Sequence, residues 1–272
     1  MKTVLKNIAL VIISLLLIAA IAYAIYGACN YYFIKTPNPE AVVELENYGT
    51  IKIELYPEYA PNTVANFIKL AEAGYYNGKV IYGKDELGLY FGRNEDGEVD
   101  VPTKDLIDPS VEKPEVDEEG NPKVDLRYEI PGEFISNGFE KNTLSHEQGV
   151  ISMIRYDFAA AGVSTLAQYS NNSATSQIRI MTGNFPGLNG LYAAFGKIVE
   201  GYDIVEKIAN ETKTKESEDT SILEFENKPK ITSVTIDTHG IDYGIPETEE
   251  YFDYQTFMTN YMSQYVKSQQ AQ

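Results

Sequence analysis

The pattern of apolar and polar positions begins with an uncharged run from Ile8 to Tyr26, which follows Lys2 and Lys6. As a helix, its 19 residues would span about 28 Å at roughly 1.5 Å per residue, close to the thickness of a bilayer core. Basic residues before an apolar segment mark its cytoplasmic side. The pattern therefore predicts an uncleaved transmembrane helix within residues 1–30 and a remainder that faces outward.

Two alternatives to an uncleaved anchor remain open. A cleaved signal peptide usually has a shorter apolar core of about 7–15 residues, which favours the anchor. Cys29 follows Tyr-Gly-Ala and loosely matches a lipoprotein cleavage site, so lipid attachment there is the second alternative. An uncleaved anchor and a lipid on Cys29 would each hold the chain at a membrane, facing outward.

Beyond the anchor, the pattern changes to that of a folded domain. Residues 31–40 hold two prolines and predict a tether, and residues 41–238 predict a domain. Near its start, Ile51, Ile53 and Leu55 alternate with polar residues, which is the period of a half-buried strand.

Two segments of this domain have helical periodicity. Pro61 suits a first helical turn and Gly74 a carboxyl-terminal cap. A second apolar face follows Gly201. The apolar positions are Val64, Phe67, Ile68 and Ala71 in the first helix and Ile204, Val205 and Ile208 in the second.

Other short apolar runs predict strands. They cover Gly149–Tyr156, Ser176–Met181, Phe195–Val199 and Ile231–Ile236. Many short strands with two helices favour a mainly β barrel over parallel α/β layers.

Residues 94–127 are acidic and contain four prolines, which predicts a solvated surface insertion. A calcium loop is the alternative. The acidic residues, however, lack the alternate spacing and terminal glutamate of an EF-hand.

The C-terminal extension, residues 239–272, predicts an amphipathic helix. Its aromatic and methionine residues recur every three or four positions, at Tyr254, Phe257, Met258, Tyr261, Met262 and Tyr265. We expect this stripe to pack on the parent domain, and a partner-binding or dimerising helix is the alternative.

Composition narrows the range of functions. The formal net charge of −18 argues against nucleic acid as a partner, because phosphate backbones attract basic surfaces. Cys29 is the single cysteine, so an intramolecular disulfide and a cysteine-based metal site are excluded. His146 and His239 are far apart in sequence, and no metal site is expected.

Three segments resemble, in order, segments of the cyclophilin-type peptidyl-prolyl cis-trans isomerases. They are YPEYAPNTVANFIKLAEAGYYNG (Tyr56–Gly78), HEQGVISMIR (His146–Arg155) and NSATSQIRIMTGNFPGLNGLYAAFGKIVEGYDIVEKI (Asn172–Ile208). The resemblance implies a mainly β fold, a closed eight-stranded antiparallel barrel capped by two helices. It also implies isomerisation of Xaa-Pro bonds in proline-containing polypeptides, without a cofactor.

The family places a cationic donor, an arginine, soon after its Gly-Tyr-Tyr turn. Here Gly83 stands at that position and Lys84 follows it. Arg179 replaces a phenylalanine of the family's proline pocket. The resemblance therefore implies Lys84 and Arg179 as candidate catalytic cations, and a solvated loop lysine is the alternative for Lys84. Arg93 is expected at the surface.

The resemblance also implies a set of substrate-binding residues on both sides of a groove. Ile154 and Arg155 replace an Ala-Asn pair, Tyr192 replaces a histidine, and Gly187 stands where tryptophan is usual. The scaffold motifs persist while much of the pocket has changed. The candidate substrate-binding residues are Tyr82, Leu89, Tyr90, Ile154, Arg155, Gln177, Leu188 and Tyr192.

Three functions remain open. The first is an isomerase anchored at the outer face of a bacterial cell membrane, where it assists the folding of exported proteins. The second is a peptide-binding chaperone or assembly module with weak or no catalysis. The third is a structural subunit whose C-terminal helix contacts a protein partner.

Overall fold

The computed structural model of the chain describes residues 2–33, 37–158, 163, 166–216, 222–254, 256–261 and 263. The chain divides into two compact units, residues 1–37 and residues 38–272. The boundary falls inside the tether that the sequence predicts over residues 31–40. Residues 34–36 of that tether lie outside the described residues.

The first unit is a single helix, α1, over Lys2–Phe33. It extends three residues beyond the predicted anchor over 1–30. Over the described residues, no helix combines the length and the apolar character that crossing a bilayer requires. The transmembrane anchor therefore stays a prediction from sequence.

The second unit is mainly β, as the sequence predicts. Among the described residues of this unit, four α-helices lie between strands: α2 over Pro61–Glu72, α3 over Lys104–Ile107, α4 over Ala167–Ser170 and α5 over Tyr202–Glu211. The strands, in chain order, are β1 Glu40–Leu45, β2 Gly49–Leu55, β3 Val80–Lys84, β4 Gly88–Arg93, β5 Tyr128–Glu129, β6 Val150–Met153, β7 Ile178–Met181, β8 Ala194–Glu200, β9 Thr214–Glu216, β10 Leu223–Phe225, β11 Ile231–Asp237 and β12 Glu249–Glu250.

The strands form an antiparallel sheet of ten in the order β11-β1-β2-β8-β6-β7-β4-β3-β10-β9, and β12 pairs with β5 separately. The predicted closure of eight strands is not found as a continuous ladder. One isolated bridge, Val80 to Lys230, spans the gap between β3 and the residues before β11. Beside this bridge, the Ile81 amide donates a hydrogen bond to the Pro229 carbonyl oxygen at 2.9 Å. Because proline has no N–H, it cannot return a second bond to extend this contact.

The interior of the sheet holds the hydrophobic core, and α2 packs on it. α2 contributes Phe67, which is fully buried, and its first N–H groups bond to the Glu133 carboxylate. The Thr63 amide donates to Glu133 at 2.7 Å, as does the Asn62 amide at 2.9 Å. A buried carboxylate at a helix N-terminus satisfies donors that would otherwise have no partner.

The pairing of β4 with β7 assigns side chains to two faces. Leu89 lies opposite Ile180, and both side chains belong to the central core. Tyr90 lies opposite Arg179, and Tyr90 belongs to a separate cluster with Tyr82. Since side chains alternate along a strand, Tyr90 and Arg179 project from the opposite face of the sheet.

The acidic insertion is partly attached to the domain. Ile107 of α3 is buried in the core. Lys79, which is also buried, pairs with Asp100 at 2.9 Å. Among the described residues, no group of three or more acidic, cysteine or histidine side chains gathers as a metal-binding set.

The described part of the C-terminal extension contacts the domain through Glu249 and Phe252, which precede the predicted stripe, and through Tyr254, whose ring centroid lies 5.2 Å from that of Phe158. Docking of the whole stripe stays a prediction. Glu249 of β12 pairs with Glu129 of β5. The Phe252 ring stacks on Tyr169 with centroids 4.1 Å apart. Residues 254, 256–261 and 263 are helical, whereas Met262 and Tyr265 of the predicted stripe lie outside the described residues.

Candidate functional site

A cavity of about 180 Å³ lies beside strands β3, β4 and β7. The acidic insertion and the C-terminal extension also reach it, through Val99 and Tyr251. The lining residues used below are Tyr82, Tyr90, Arg93, Ile154, Arg155 and Gln177. Aromatic and aliphatic surface with a few polar groups is the usual lining of a ligand site.

Gln177 organises one side of this cavity. Its Oε1 atom accepts a hydrogen bond from Arg93 Nε at 3.0 Å and another from Tyr82 Oη at 3.0 Å. The Arg93 guanidinium carbon lies 4.3 Å from the centroid of the Tyr82 ring. Burial raises the pKa of Tyr82 to about 12, so its hydroxyl stays a neutral donor at ordinary pH. These contacts hold one guanidinium in a fixed orientation.

Arg179 lies on the adjoining side, between two tyrosine rings. Its Nη2 atom donates to Tyr90 Oη at 2.7 Å, and the Tyr90 hydroxyl donates to Asp85. The guanidinium carbon is 4.9 Å from the Tyr90 centroid and 5.7 Å from the Tyr192 centroid. Burial raises the pKa of Tyr90 well above its ordinary value. The Nε atom of Arg179 is buried without a hydrogen-bond partner among the described residues.

Arg155 is the third cation at the site. It donates from Nε to the Leu191 carbonyl and from Nη1 to the Tyr156 carbonyl, both at 3.1 Å. Its guanidinium carbon lies 4.6 Å from the centroid of Tyr192. Arg155 and Arg179 therefore share one aromatic ring.

The structure brings most of the predicted substrate-binding residues together. Arg179 contacts Tyr90, and Tyr192 lies beside Arg155 and Arg179. The five that line the cavity are Tyr82, Tyr90, Ile154, Arg155 and Gln177. Their role in binding remains a prediction.

Leu89 and Leu188 are not brought to the cavity. The Leu89 side chain is fully buried in the interior core, because the register of β4 on β7 turns it inward. Leu188 packs in a different cluster, against residues such as Val150 and Met181. The structure therefore places Leu89 outside the lining of the 180 Å³ cavity, and its role in substrate binding stays a prediction.

Lys84 lies in a different place from the one that the sequence predicts. Its Nζ atom donates to the carbonyl of Ala209 in the last turn of α5, where helical carbonyls lack intrahelical partners. It lines another cavity, of about 300 Å³, with Asp85 and Glu206. The geometry does not support Lys84 as the cation of the 180 Å³ cavity.

The sequence analysis expected Arg93 at the surface and did not count it among the site residues, whereas the structure places it in the cavity lining. Strict alternation along β4 would put its side chain on the interior face with Leu89 and Phe91. Gly92 breaks that alternation. Its φ is +110°, and the register of β3 on β4 shifts between Val80 and Ile81. Such a bulge re-aims the following side chain. A glycine directly before the arginine at the end of the strand is the signal that could have revealed this.

Known proteins of one family are similar to most of the chain. The family model for "Cyclophilin type peptidyl-prolyl cis-trans isomerase/CLD" matches residues 41–236. Peptidyl-prolyl cis-trans isomerase B of Bacillus subtilis is 32% identical over 171 residues, covering 61% of this chain and 87% of that protein. A probable peptidyl-prolyl cis-trans isomerase of Brucella suis is 30% identical over 224 residues, covering 80% of this chain and 95% of that protein.

A more distant relative and a solved structure complete the comparison. Peptidyl-prolyl cis-trans isomerase-like 2 of Rhizopus delemar is 28% identical over 164 residues, which cover 60% of this chain but 24% of that protein. A Cryptosporidium parvum cyclophilin, crystallised in the presence of the dipeptide Ala-Pro, has a TM-score of 0.50 at 19% identity. The match covers 73% of this chain and 98% of the Cryptosporidium parvum chain. It shows that the two proteins share a fold. Because the family model extends over most of its length, the chain belongs to the cyclophilin-type peptidyl-prolyl cis-trans isomerase family.

Proposed function

We propose that the chain catalyses cis–trans isomerisation of Xaa-Pro bonds, with Arg93 as the cationic donor. The observation that carries this proposal is the position of Arg93. Its guanidinium is held by Gln177 and Tyr82 at the edge of the 180 Å³ cavity. Tyr82, Tyr90 and Ile154 give that cavity apolar surface for a prolyl ring.

The main chemical requirement of the reaction is a cationic donor at the prolyl nitrogen. Rotation about an amide costs about 18–20 kcal/mol because the nitrogen lone pair is shared with the carbonyl group. A guanidinium aimed at the prolyl nitrogen draws that lone pair out of conjugation, and the interaction strengthens only as the bond twists. A group that binds the transition state more tightly than the ground state lowers the barrier. Since Nε is one of five N–H donors on a guanidinium, Arg93 keeps others for the substrate.

Proline-containing polypeptides are the proposed substrates. The presence of Ala-Pro with the Cryptosporidium parvum cyclophilin supports this substrate class by analogy. The relatives named as peptidyl-prolyl isomerases support it as well.

The test is a proline-peptide isomerisation assay on the full chain and its variants. We expect Arg93→Gln to lower kcat/KM about a hundredfold, the scale found when one transition-state donor is removed. Lys123→Gln is the matched control, because Lys123 forms an exposed pair with Glu115 in the acidic insertion and should leave the rate unchanged. An Arg93→Gln chain with full activity, or a Lys84→Gln chain with an equal loss, would contradict this assignment.

A peptide-binding module with weak catalysis is the second candidate. The observation that favours it is Arg179, whose guanidinium lies between Tyr90 and Tyr192, where the family resemblance implies an apolar proline pocket. Peptide binding without turnover, measured by fluorescence anisotropy on the same chain, would establish the module and exclude the enzyme. A partner surface on the C-terminal helix is compatible with either function, because Tyr261 there is 55% exposed.

We further propose that the protein is held at a membrane, faces outward and assists the folding of exported proteins. The uncharged run from Ile8 to Tyr26 after two lysines supports this location. The full chain should stay in the membrane fraction after alkaline extraction. Cys29→Ser should not release it if the helix is the anchor, and should release it if a lipid is. Recovery of the unmodified chain in the soluble fraction would contradict the proposal.

A further inference from the structure

The chain contains few arginine residues, and most of them lie at the candidate site. The sequence contains four arginines. Arg93 and Arg155 line the 180 Å³ cavity, and Arg179 donates to Tyr90, which lines it as well. The fourth, Arg127, forms ion pairs with two aspartates, and its guanidinium carbon lies 4.4 Å from the ring centroid of Tyr251 at the cavity wall. In a chain with a net charge of −18, the site therefore concentrates guanidinium groups that are scarce elsewhere in the sequence.

The hydrogen bonds of these three arginines go mainly to neutral groups. Arg93 donates to a glutamine amide, Arg179 to a tyrosine hydroxyl and Arg155 to two main-chain carbonyls. The ion pair of Arg155 with Asp157 measures 3.9 Å, at the outer limit for such a pair. Most of the positive charge is therefore not matched by a carboxylate in contact with it.

Asp85 is the acidic group closest in the hydrogen-bond network to Arg179, and it is already engaged. Its carboxylate accepts from the Tyr90 hydroxyl and from the main-chain N–H groups of Leu87 and Gly88. Three donors share that charge, and a tyrosine separates it from the guanidinium.

Tyr192 adds a geometric reason to expect an anion. The guanidinium groups of Arg155 and Arg179 both lie within 6 Å of its ring centroid, at 4.6 Å and 5.7 Å. Two like charges repel at a half-buried position where screening by water is reduced. A carboxylate placed beside them would relieve that repulsion. It would also match the planar, bidentate geometry that guanidinium prefers.

We propose that the 180 Å³ cavity, together with the adjoining guanidinium groups of Arg155 and Arg179, selects proline peptides that carry an acidic side chain directly beside the proline. Arg155 and Arg179 bind the carboxylate over Tyr192, while Arg93 serves the prolyl nitrogen. This inference rests on the proposed function and specifies its substrate class.

The test compares peptides that differ in one side chain. Two series carry Glu, Gln, Ala or Lys immediately before or immediately after proline, and each is measured on the full chain by isomerisation rate and by binding anisotropy. We expect one of the two series to prefer Glu over Gln about tenfold, the factor that about 1.4 kcal/mol represents and the scale of one charge-assisted hydrogen bond. Lys should be the poorest. The preference should fade near 1 M salt, where the Debye length is about 3 Å.

Variants that each remove one arginine charge then show which side chains bind the carboxylate of the peptide. Arg155→Gln and Arg179→Gln should each reduce the ratio of Glu to Gln peptides towards one. The matched control Lys123→Gln removes the same charge from the exposed surface and should leave the ratio unchanged. An equal fall in the control would assign the preference to net charge and overturn the proposal.

Failure of the inference is distinguishable from failure of the proposed function. If Ala and Gln peptides are turned over and Glu gives no advantage in either series, the substrate class is wrong and the isomerase stands. If no peptide is turned over, the isomerase is wrong, and the binding measurement still decides whether acidic peptides are preferred.

Discussion

At the scale of single residues, Gly92 decides which face of β4 presents Arg93. Its φ of +110° belongs to a region that side chains with a Cβ rarely adopt. A Cβ there would also lie 3.3 Å from the Ser176 carbonyl oxygen. The position of the proposed cation therefore depends on a neighbour without a side chain.

We predict that Gly92→Ala destabilises the fold by about 1–3 kcal/mol through backbone strain and lowers isomerase activity by displacing Arg93. Urea denaturation and the isomerisation assay measure the two effects. Gly187→Ala is the control, since a Cβ at Gly187 meets nothing within 4 Å. Equal behaviour of the two variants would show that the bulge does not position Arg93.

Glu129 is a second residue whose surroundings determine its chemistry. Burial, together with the facing Glu249 carboxylate, raises the pKa of its carboxyl group to about 7, against a hydrogen bond from the Phe252 main chain that lowers it. One of its oxygens, Oε1, has no hydrogen-bond partner among the described residues. The folded chain therefore holds a proton there that the unfolded chain has lost.

The pH dependence has a definite sign. Between about pH 4.5 and pH 7 the folded state binds more protons than the unfolded state, so the free energy of unfolding falls as pH rises and the loss is complete above pH 7. A shift from 4.5 to about 7 corresponds to at most about 3 kcal/mol. Urea denaturation at pH 5 and pH 8 should show this loss in the parent chain.

Glu129→Gln should flatten the pH dependence, because an amide does not titrate. Glu250→Gln is the control, since Glu250 is exposed on the neighbouring strand and should retain the parent's profile. A parent chain that is as stable at pH 8 as at pH 5 would exclude a raised pKa at Glu129.

At the scale of elements, the C-terminal extension is part of the domain and of the cavity wall. Tyr251 lines the 180 Å³ cavity, and the Arg127 guanidinium carbon lies 4.4 Å from its ring centroid. Phe252 packs on Tyr169, and the rings of Phe252 and Phe257 are 5.4 Å apart. The sequence periodicity predicts the helix, whereas Tyr251 and Phe252 precede it and their partners are distant in the chain.

We predict that Phe252→Ala lowers the free energy of unfolding by about 1–3 kcal/mol, somewhat less than for a fully buried phenylalanine. It should also weaken peptide binding by loosening Tyr251. Tyr261→Ala is the comparison, because Tyr261 is 55% exposed and should cost little. If both changes leave stability at the parent value, the packing of the extension contributes nothing to the fold.

At the scale of the whole molecule, the seam between β3 and β11 has no continuous strand ladder. A single bridge and a few main-chain bonds cross it, whereas β1 and β2 pair over six residues. Regions with fewer cooperative contacts open at lower free energy. The protein should therefore open at this seam more readily than between β1 and β2.

Native-state hydrogen exchange tests this expectation. The seam amides of Ile81 and Ile231, which donate to Pro229 and Lys79, should exchange faster than the amide of Val43 in β1. Equal protection at the three positions would mean that the seam opens only with the whole domain.

The sequence by itself determined the scaffold of this protein. Helix α2 begins at Pro61 as predicted, and five candidate residues around Gln177 line one cavity. These features follow from local periodicity and from ordered family segments, both of which can be read along the chain.

Only the tertiary structure decided which cation lies at the cavity. A positive φ at Gly92 turned Arg93 towards Gln177, the register of β4 on β7 turned Leu89 inward, and the end of α5 engaged Lys84. The tertiary structure also decided that the strand ladder is interrupted between β3 and β11, where Pro229 accepts a hydrogen bond from Ile81. Each outcome depends on a partner distant in sequence or on the sign of one backbone angle, and neither leaves a trace in the pattern of apolar and polar residues.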